Sequence, residues 1–290
     1  MQVSRTRALA SVGASAVLAA AAVAAVSTPA GAETAWAPAD TATIHPGVQM
    51  YTEGAQCTAN FVYTDGAGDV YVGYAAHCAG LGAATDTNGC DAGSLPLGTK
   101  VEFVEGGSLL TAGTTVGTGT LAYSSWLTMQ ESGETDENAC AYNDLALVKV
   151  DDAHVADVNP SIPFWGGPVG INTDGTAAGE TVHSFGNSSL RAGIEQLSPK
   201  QGISVGDNVA DAGWSHPVYT LSPGVPGDSG SAFLDDEGNA LGTLSTLAIA
   251  PLAGSNGVGD LNLELKYAQA NGGIAGLELV PGTEPFSPIL

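Results

Sequence analysis

Lysine and arginine are scarce in this chain of 290 residues: seven basic residues face 30 aspartates and glutamates, and the formal net charge is −23 at pH 7. Nucleic acids and anionic membrane surfaces are bound through basic patches, so this charge argues against both as partners. The acidity is more simply explained by solubility outside the cell. Calcium would suit acidic side chains, but no EF-hand-like spacing is present and no metal site is predicted.

Cysteine is also scarce, with four residues and no pair at C-x-x-C spacing, which argues against a zinc or redox centre. Neither a metal nor a cofactor is predicted. An even number of cysteines in an exported chain indicates two disulfides. The sequence alone leaves three pairings open among Cys57, Cys78, Cys90 and Cys140.

Only one long apolar run is present, Ala8–Val26. It follows two arginines and leads to the small residues 30-AGA-32, so we predict a secretory signal peptide over residues 1–32 with cleavage after Ala32. The alternative is a membrane anchor, but the run could barely span a bilayer and its small-residue end favours cleavage. We expect a soluble, secreted product that is by default a monomer.

Amphipathic helix patterns are rare. Short runs rich in β-branched and aromatic residues, such as 70-VYVGYAA-76 and 145-LALVKV-150, alternate with Gly- and Asp-rich turns and predict strands. The exception is 258-VGDLNLELKYAQA-270, whose apolar residues have helical spacing and predict a C-terminal helix. A polar segment with prolines over 151–168 separates two strand-rich halves, which indicates an all-β fold of two small barrels or sandwiches.

Three short motifs contain residues that catalysis would use. His77 ends a predicted hairpin in the motif AAHC, Asp144 precedes an apolar strand in NDLALV, and Ser229 lies between glycines in GDSG. Each has a plain alternative: a histidine hydrogen-bonded at a strand end, an aspartate that forms a turn, and a glycine-rich turn. Nucleophilic catalysis needs all three, because a hydroxyl must be activated by a base that a carboxylate orients.

The order of these residues along the chain, His77, Asp144 and then Ser229, is the order of the chymotrypsin-type triad. The α/β-hydrolases use the order Ser, Asp, His with a G-x-S-x-G elbow, and here Ser231 stands in place of the second glycine of that elbow. The three motifs resemble the signature blocks of the chymotrypsin-like serine peptidases. The chain resembles the secreted bacterial members of that family from about residue 44 to residue 270.

The resemblance implies an all-β fold of two six-stranded antiparallel β-barrels, with the site in the cleft between them and a C-terminal helix. It implies a secreted serine endopeptidase that acts on protein or peptide substrates. The disulfides implied are Cys57–Cys78 and Cys90–Cys140. The domains implied are the signal peptide 1–32, a short N-terminal segment 33–43, the first barrel 44–155, the second barrel 156–257, and the C-terminal helix and tail 258–290.

By the same resemblance, His77 would act as general base and then general acid, Asp144 would orient it, and Ser229 would be the nucleophile. The N–H groups of Gly227 and Ser229 would form the oxyanion hole. The further roles implied are a hydrogen bond to the triad aspartate from Ser245, ordering of the loop by Asp228, backbone contacts to the substrate from Thr246 and Leu247, and a substrate pocket at Pro223, Gly224 and Val225.

The sequence departs from the family pattern at two places. It has no R/K-I-V-G-G-like cleavage site whose new amino terminus would pair with Asp228, so we predict an internal cation there, with Arg191 and His183 as candidates. The position six residues before the nucleophile is Pro223 and not an aspartate. A basic side chain would lack a counter-charge in such a pocket, so we predict a small or apolar P1 residue. A catalytically silent binding protein and an esterase with the same triad are the alternatives.

Overall fold

The chain divides into two units, Met1–Glu33 and Thr34–Leu290, and nearly all of the described residues belong to the second. The predicted signal peptide lies almost entirely outside the described residues. The side chains of Glu195, Leu247 and Ala248 are not described either. The computed structural model describes residues 1–2, 34–82, 87–207, 209–248 and 255–288.

One antiparallel sheet of eight strands is built from the N-terminal half of the chain and one short strand of the C-terminal tail. Its strands are β1 (Gln49–Thr52), β2 (Ala55–Thr58), β3 (Val62–Thr64), β4 (Val70–Ala75), β5 (Lys100–Glu105), β6 (Thr114–Ser124), β7 (Leu145–Val150) and β14 (Glu278–Leu279). Their order across the sheet is β14-β3-β4-β7-β6-β5-β1-β2. The central strands β4 and β7 are apolar in almost every position and are buried along nearly their whole length.

The second half forms a closed six-stranded antiparallel barrel. Its strands are β8 (Thr181–Phe185), β9 (Pro199–Ser204), β10 (Ser215–Thr220), β11 (Ala232–Leu234), β12 (Ala240–Ala248) and β13 (Ser255–Asp260). The order around the barrel is β10-β13-β12-β11-β8-β9. Closure leaves this sheet without a free edge.

Three α-helices accompany the sheets in the described part of the chain: α1 (Ser125–Ser132), α2 (Glu137–Tyr142) and α3 (Leu261–Asn271). The sequence analysis did not predict α1 and α2, because their lengths of eight and six residues are too short to show a clear apolar period. Their ends nevertheless carry ordinary signals. The left-handed Gly133 ends α1, and the Asp136 side chain accepts hydrogen bonds from two N–H groups at the start of α2.

The all-β class, the six-stranded barrel and the C-terminal helix are confirmed. The helix begins at Leu261, three residues later than predicted, because residues 258–260 complete β13 and the Asp260 side chain caps the helix. The first half differs from the predicted six-stranded barrel: it contributes seven strands, β1 to β7, and β14 pairs with β3 and extends that sheet to eight. None of the helices in the described residues is long and apolar enough to cross a membrane.

Candidate active site

His77 is held at the end of the buried strand β4. It lies in a 3-10 turn, Ala76–Ala79, that continues directly from the strand. The disulfide Cys57–Cys78 ties this turn to β2, and the N–H of Ala76 donates to the carbonyl of Asp144 at 2.6 Å. The backbone beside the imidazole is therefore fixed on both sides.

Asp144 immediately precedes β7 and is 4% exposed. Its Oδ2 lies 2.6 Å from Nδ1 of His77, and its Oδ1 accepts the backbone N–H of His77 at 2.8 Å. Ser245 Oγ donates to the same Oδ2 at 2.6 Å. The carboxylate thus receives donors at both oxygens, as a buried charge requires.

The electrostatics of this pair favour a charged imidazole. Burial lowers the pKa of His77, but the charge of Asp144 and its hydrogen bond outweigh burial, so the pKa is raised above its usual value. Because Nδ1 faces the carboxylate, Nε2 is the ring nitrogen left to exchange a proton with a neighbour. This is the arrangement of a general base whose conjugate acid is stabilised.

A buried carboxyl group supports Asp144 from the C-terminal helix. Glu264 in α3 is fully buried, and its Oε1 accepts the backbone N–H of Asp144 at 2.9 Å. Burial, together with the nearby charge of Asp144, raises the pKa of Glu264 well above its usual range, which favours the protonated carboxyl. The sequence analysis missed Glu264, although an acid between Leu261 and Leu265 on the apolar stripe of a helix was a signal of it.

Ser229 lies in the turn that leads into β11. Its carbonyl accepts the N–H of Thr58 at 2.8 Å, and the N–H of the next residue, Gly230, donates to the carbonyl of Leu244 at 2.7 Å. Gly230 has φ +87°, and a Cβ there would lie 2.5 Å from the Thr58 carbonyl oxygen. The turn therefore needs glycine both for its backbone conformation and for the close approach of β2.

The N–H groups of Gly227 and Ser229 lie in the same turn, and the two peptides that carry them are oriented by hydrogen bonds to their carbonyls. The carbonyl of Pro226 accepts a hydrogen bond from Ser188 Oγ at 2.6 Å, and the carbonyl of Asp228 accepts the N–H of Ser231 at 3.0 Å. In a trans peptide the N–H points opposite to the C=O. The N–H groups of Gly227 and Ser229 therefore point away from those partners, and neither donates a hydrogen bond within the described part of the chain.

Asp228 is fully buried beneath this turn and contacts two cations. Arg191 Nη2 and Lys200 Nζ each lie 2.5 Å from its Oδ2. Burial alone would raise the pKa of Asp228, but the charge of Lys200 and the hydrogen bonds from Arg191 and Lys200 hold it below its usual value. The prediction of an internal cation is confirmed for Arg191.

The second cation was not predicted, and the other candidate was wrong. Lys200 lies in β9 with a side chain that is 1% exposed, a placement that no local pattern in the sequence indicates. His183 does not contact Asp228. Its ring packs edge-on against Trp165 and Phe286, because the alternation of β8 directs it to that apolar cluster.

A cleft of about 560 Å³ brings together the three residues of the predicted triad. His77, Asp144 and Ser229 all line it. Within the described residues, no hydrogen bond joins the His77 imidazole to the Ser229 hydroxyl, and such bonds are often long before a substrate is bound. The rest of the wall comes from Ala55, Gln56, Cys57, Cys78, Gly80, Gly82, Thr87, Trp126, Val225, Pro226, Gly227, Leu244, Ser245 and Thr246.

The five predicted substrate-contact residues have different placements. Val225 and Thr246 line the cleft. Pro223 is exposed and lies outside the cleft lining, and Gly224 donates its N–H to Asn256 Oδ1 at 3.0 Å. Leu247 continues β12 in register with Asn256 of β13, and its side chain is not described.

Both disulfides are present in the structure. Cys57–Cys78 closes a sequence separation of 21 residues and Cys90–Cys140 one of 50 residues. Among the described residues, the group of three potential metal ligands is Cys57, His77 and Cys78. Both of its sulfurs are consumed by the disulfide, so neither is a thiolate ligand.

Comparison with known proteins gives structural neighbours only. No family model and no curated protein matches the chain. The solved structures that it resembles include several proteases. Three of them are Thermobifida fusca protease A (17% identity, 82% of this chain and 99% of that chain, TM-score 0.47), Nocardiopsis protease (18%, 81% and 98%, 0.45) and a Glu endopeptidase (17%, 79% and 94%, 0.48).

Proposed function

We propose that the chain is a secreted serine endopeptidase that cleaves peptide bonds through an acyl-enzyme on Ser229. The observation that carries this proposal is the Asp144 carboxylate, which is bound by His77 and Ser245 in the same cleft as Ser229. Secretion is supported by the signal-peptide pattern at the start of the sequence and by the two disulfides.

The reaction proceeds in two halves. Ser229 Oγ attacks the substrate carbonyl carbon while His77 Nε2 takes its proton, and Asp144 stabilises the imidazolium that forms. The tetrahedral oxyanion accepts hydrogen bonds from the N–H groups of Gly227 and Ser229. When the intermediate collapses, the C–N bond breaks and His77 returns the proton to the leaving amine. Water then repeats the sequence on the ester, and its attack regenerates the Ser229 hydroxyl.

The cleft favours a small or apolar side chain at P1. Val225, Pro226 and Leu244 contribute to its wall, and Asp144 is the one acidic residue among its described lining residues. That carboxylate is already occupied by His77 and Ser245. A lysine or arginine side chain would therefore be desolvated without a counter-charge.

Covalent labelling tests the proposal. A fluorophosphonate probe is expected to react with the folded protein, and mapping of the modified peptide is expected to place the label on Ser229. Ser229→Ala is expected to abolish labelling. Ser231→Ala is the matched control, because Ser231 is a buried serine two residues away whose hydroxyl has no hydrogen-bond partner among the described residues, and this variant is expected to label like the wild type.

Each alternative predicts a different result. Absence of labelling in a folded wild-type protein would indicate a silent binding protein. Labelling with rapid hydrolysis of short-chain esters but no digestion of casein would indicate an esterase. A peptide panel with strong preference for Lys or Arg at P1 would contradict the proposed specificity and leave the peptidase assignment intact.

A further inference from the structure

Ser188 is a buried serine in the loop after β8, 1% exposed and immediately before the 3-10 turn Ser189–Arg191. We propose that Ser188 is a positioning residue that holds the Pro226–Gly227 peptide so that the Gly227 N–H faces the substrate oxyanion. The proposal rests on the proposed peptidase function, because it concerns the same site.

The hydroxyl of Ser188 both donates and accepts a hydrogen bond. It donates to the carbonyl of Pro226 at 2.6 Å and accepts the N–H of Leu190 at 3.0 Å. The backbone N–H of Ser188 donates to Asp228 Oδ1 at 3.1 Å. Ser188 therefore holds both the Pro226–Gly227 peptide and the side chain of Asp228.

The orientation of the Pro226–Gly227 peptide decides whether its N–H or its carbonyl oxygen faces an oxyanion in the cleft. The Pro226–Gly227 peptide is trans, since the cis bond of the described residues is Gly167–Pro168. With its C=O directed at Ser188, its N–H points to the opposite side. Rotation of the peptide plane by about half a turn would exchange the two groups and present a carbonyl oxygen to the oxyanion, which repels it.

Gly227 makes such a rotation sterically accessible. Its φ is +97°, in a region that glycine enters without the steric cost that other residues meet. The next carbonyl, that of Gly227 itself, is held by Gln56 Nε2 at 3.0 Å and by Thr58 Oγ1 at 2.7 Å. The Pro226 carbonyl has Ser188 as its one hydrogen-bond donor within the described residues, so the orientation of the first peptide depends on that hydroxyl.

The expected effect of Ser188→Ala is a fall in kcat of about 10- to 100-fold with KM within about twofold. Complete loss of one oxyanion-hole donor lowers kcat by about 10²- to 10³-fold. The fall in kcat expected for Ser188→Ala is smaller than this, because Gln56 and Thr58 still hold the Gly227 carbonyl. An interaction made only in the transition state lowers kcat and leaves KM nearly unchanged, whereas a general loss of structure would not separate the two.

The experiment compares Ser188→Ala with Ser198→Ala on a peptide substrate, with kcat expressed per active site titrated by a fluorophosphonate. Ser198 is the control because it lies in the same half of the chain as Ser188 and is also 1% exposed. Its hydroxyl has no hydrogen-bond partner among the described residues. Its variant is expected to keep wild-type kcat. A peptide boronic acid, whose adduct places an oxygen in the oxyanion hole, is expected to bind Ser188→Ala at least tenfold more weakly than the wild type.

A second pair of variants separates the hydroxyl from the volume of the side chain. Ser188→Thr keeps the hydroxyl and Ser188→Val replaces it with a methyl group of nearly the same shape, so the threonine variant is expected to be at least tenfold faster than the valine variant. This pair decides the question if Ser188→Ala does not fold.

The outcomes distinguish the two proposals. A wild-type protein that is folded but neither labels nor hydrolyses peptides overturns the proposed function, and this inference with it. A wild-type protein that hydrolyses peptides, together with a Ser188→Ala variant whose kcat and boronic acid affinity stay within twofold of it, overturns the role of Ser188 alone.

Discussion

A buried histidine outside the cleft links the stability of the barrel to pH. His216 in β10 has a side chain that is 1% exposed, with Nδ1 at 2.7 Å from Asp207 Oδ1 and Nε2 at 3.0 Å from Asp260 Oδ2. Two carboxylates therefore face the two ring nitrogens, an arrangement that the doubly protonated imidazolium satisfies best. Burial lowers the pKa of His216, but the hydrogen bonds and charges of both aspartates outweigh burial and raise it to about 9.

The sign and size of the effect follow from this value. The folded pKa of about 9 lies above the 6.5 of an unperturbed histidine. The stabilisation is therefore complete below pH 6.5 and is lost as the pH rises through 9. Since one pKa unit corresponds to about 1.4 kcal/mol, the contribution of His216 to the free energy of unfolding is about 3 kcal/mol.

Urea unfolding at pH 6, 7.5 and 9.5 measures this contribution. We expect the wild type to lose about 3 kcal/mol more than His216→Asn between pH 6 and pH 9.5. Asp260→Asn isolates one partner, because asparagine still caps α3 but no longer carries the charge. The change in unfolding free energy of Asp260→Asn between pH 6 and pH 9.5 is expected to lie between those of the wild type and His216→Asn.

Two results would refute the reasoning. One is a change in unfolding free energy with pH that agrees within 0.5 kcal/mol between the wild type and His216→Asn. The other is an NMR titration of the His216 ring with a midpoint below pH 7, since the ring would then hold its proton no more strongly than in the unfolded chain.

Two further predictions concern the cleft and the helix behind it. His77 must be neutral to accept a proton, and Asp144 raises its pKa, so kcat/KM is expected to rise with pH through a midpoint above 6.5. Asp144→Asn is expected to lower that midpoint and to reduce kcat about 10⁴-fold. An unchanged midpoint in the pH–rate profile of this variant would contradict the coupling between His77 and Asp144. Burial raises the pKa of Glu264 above its ordinary value of 4.5, so the stability linked to its proton is present below pH 4.5 and is lost as the pH rises through the folded pKa. Glu264→Gln removes this titration and is expected to raise Tm at pH 8 by about 2–4 °C for each kcal/mol recovered, to show no gain at pH 4, and to keep activity within a few-fold. A lower Tm at pH 8 would show that the carboxyl itself is required.

The sequence predicted those parts of the site that are encoded locally. The motifs around His77, Asp144 and Ser229 are each only a few residues long, and the glycines of the last one are required by the backbone itself. The short runs of β-branched and aromatic residues likewise predicted the strands, because strand preference depends on the residues within the run itself.

The supporting residues could not be predicted in the same way, because their partners are far away along the chain. Ser188 is 38 residues from the carbonyl that it holds, and Lys200 is 28 residues from the carboxylate that it pairs with. The missing cleavage site led us to predict an internal cation for Asp228, and the wrong choice of His183 shows that a charge requirement does not identify which side chain can reach. That depends on the register of β8 and β9, which is known only once the barrel is closed.

The distance along the chain between Asp144 and Glu264 has a consequence for biosynthesis. The amide of Asp144 finds its acceptor 120 residues later. At about 5–20 residues per second, a ribosome needs about 6–24 s to add that length of polypeptide. During that interval the nascent chain already has His77 and Asp144, whereas Ser229 is added only after 85 further residues and Glu264 only at the end. Under the proposed function, a polypeptide built in this order acquires the capacity to cut proteins only after Glu264 has been added.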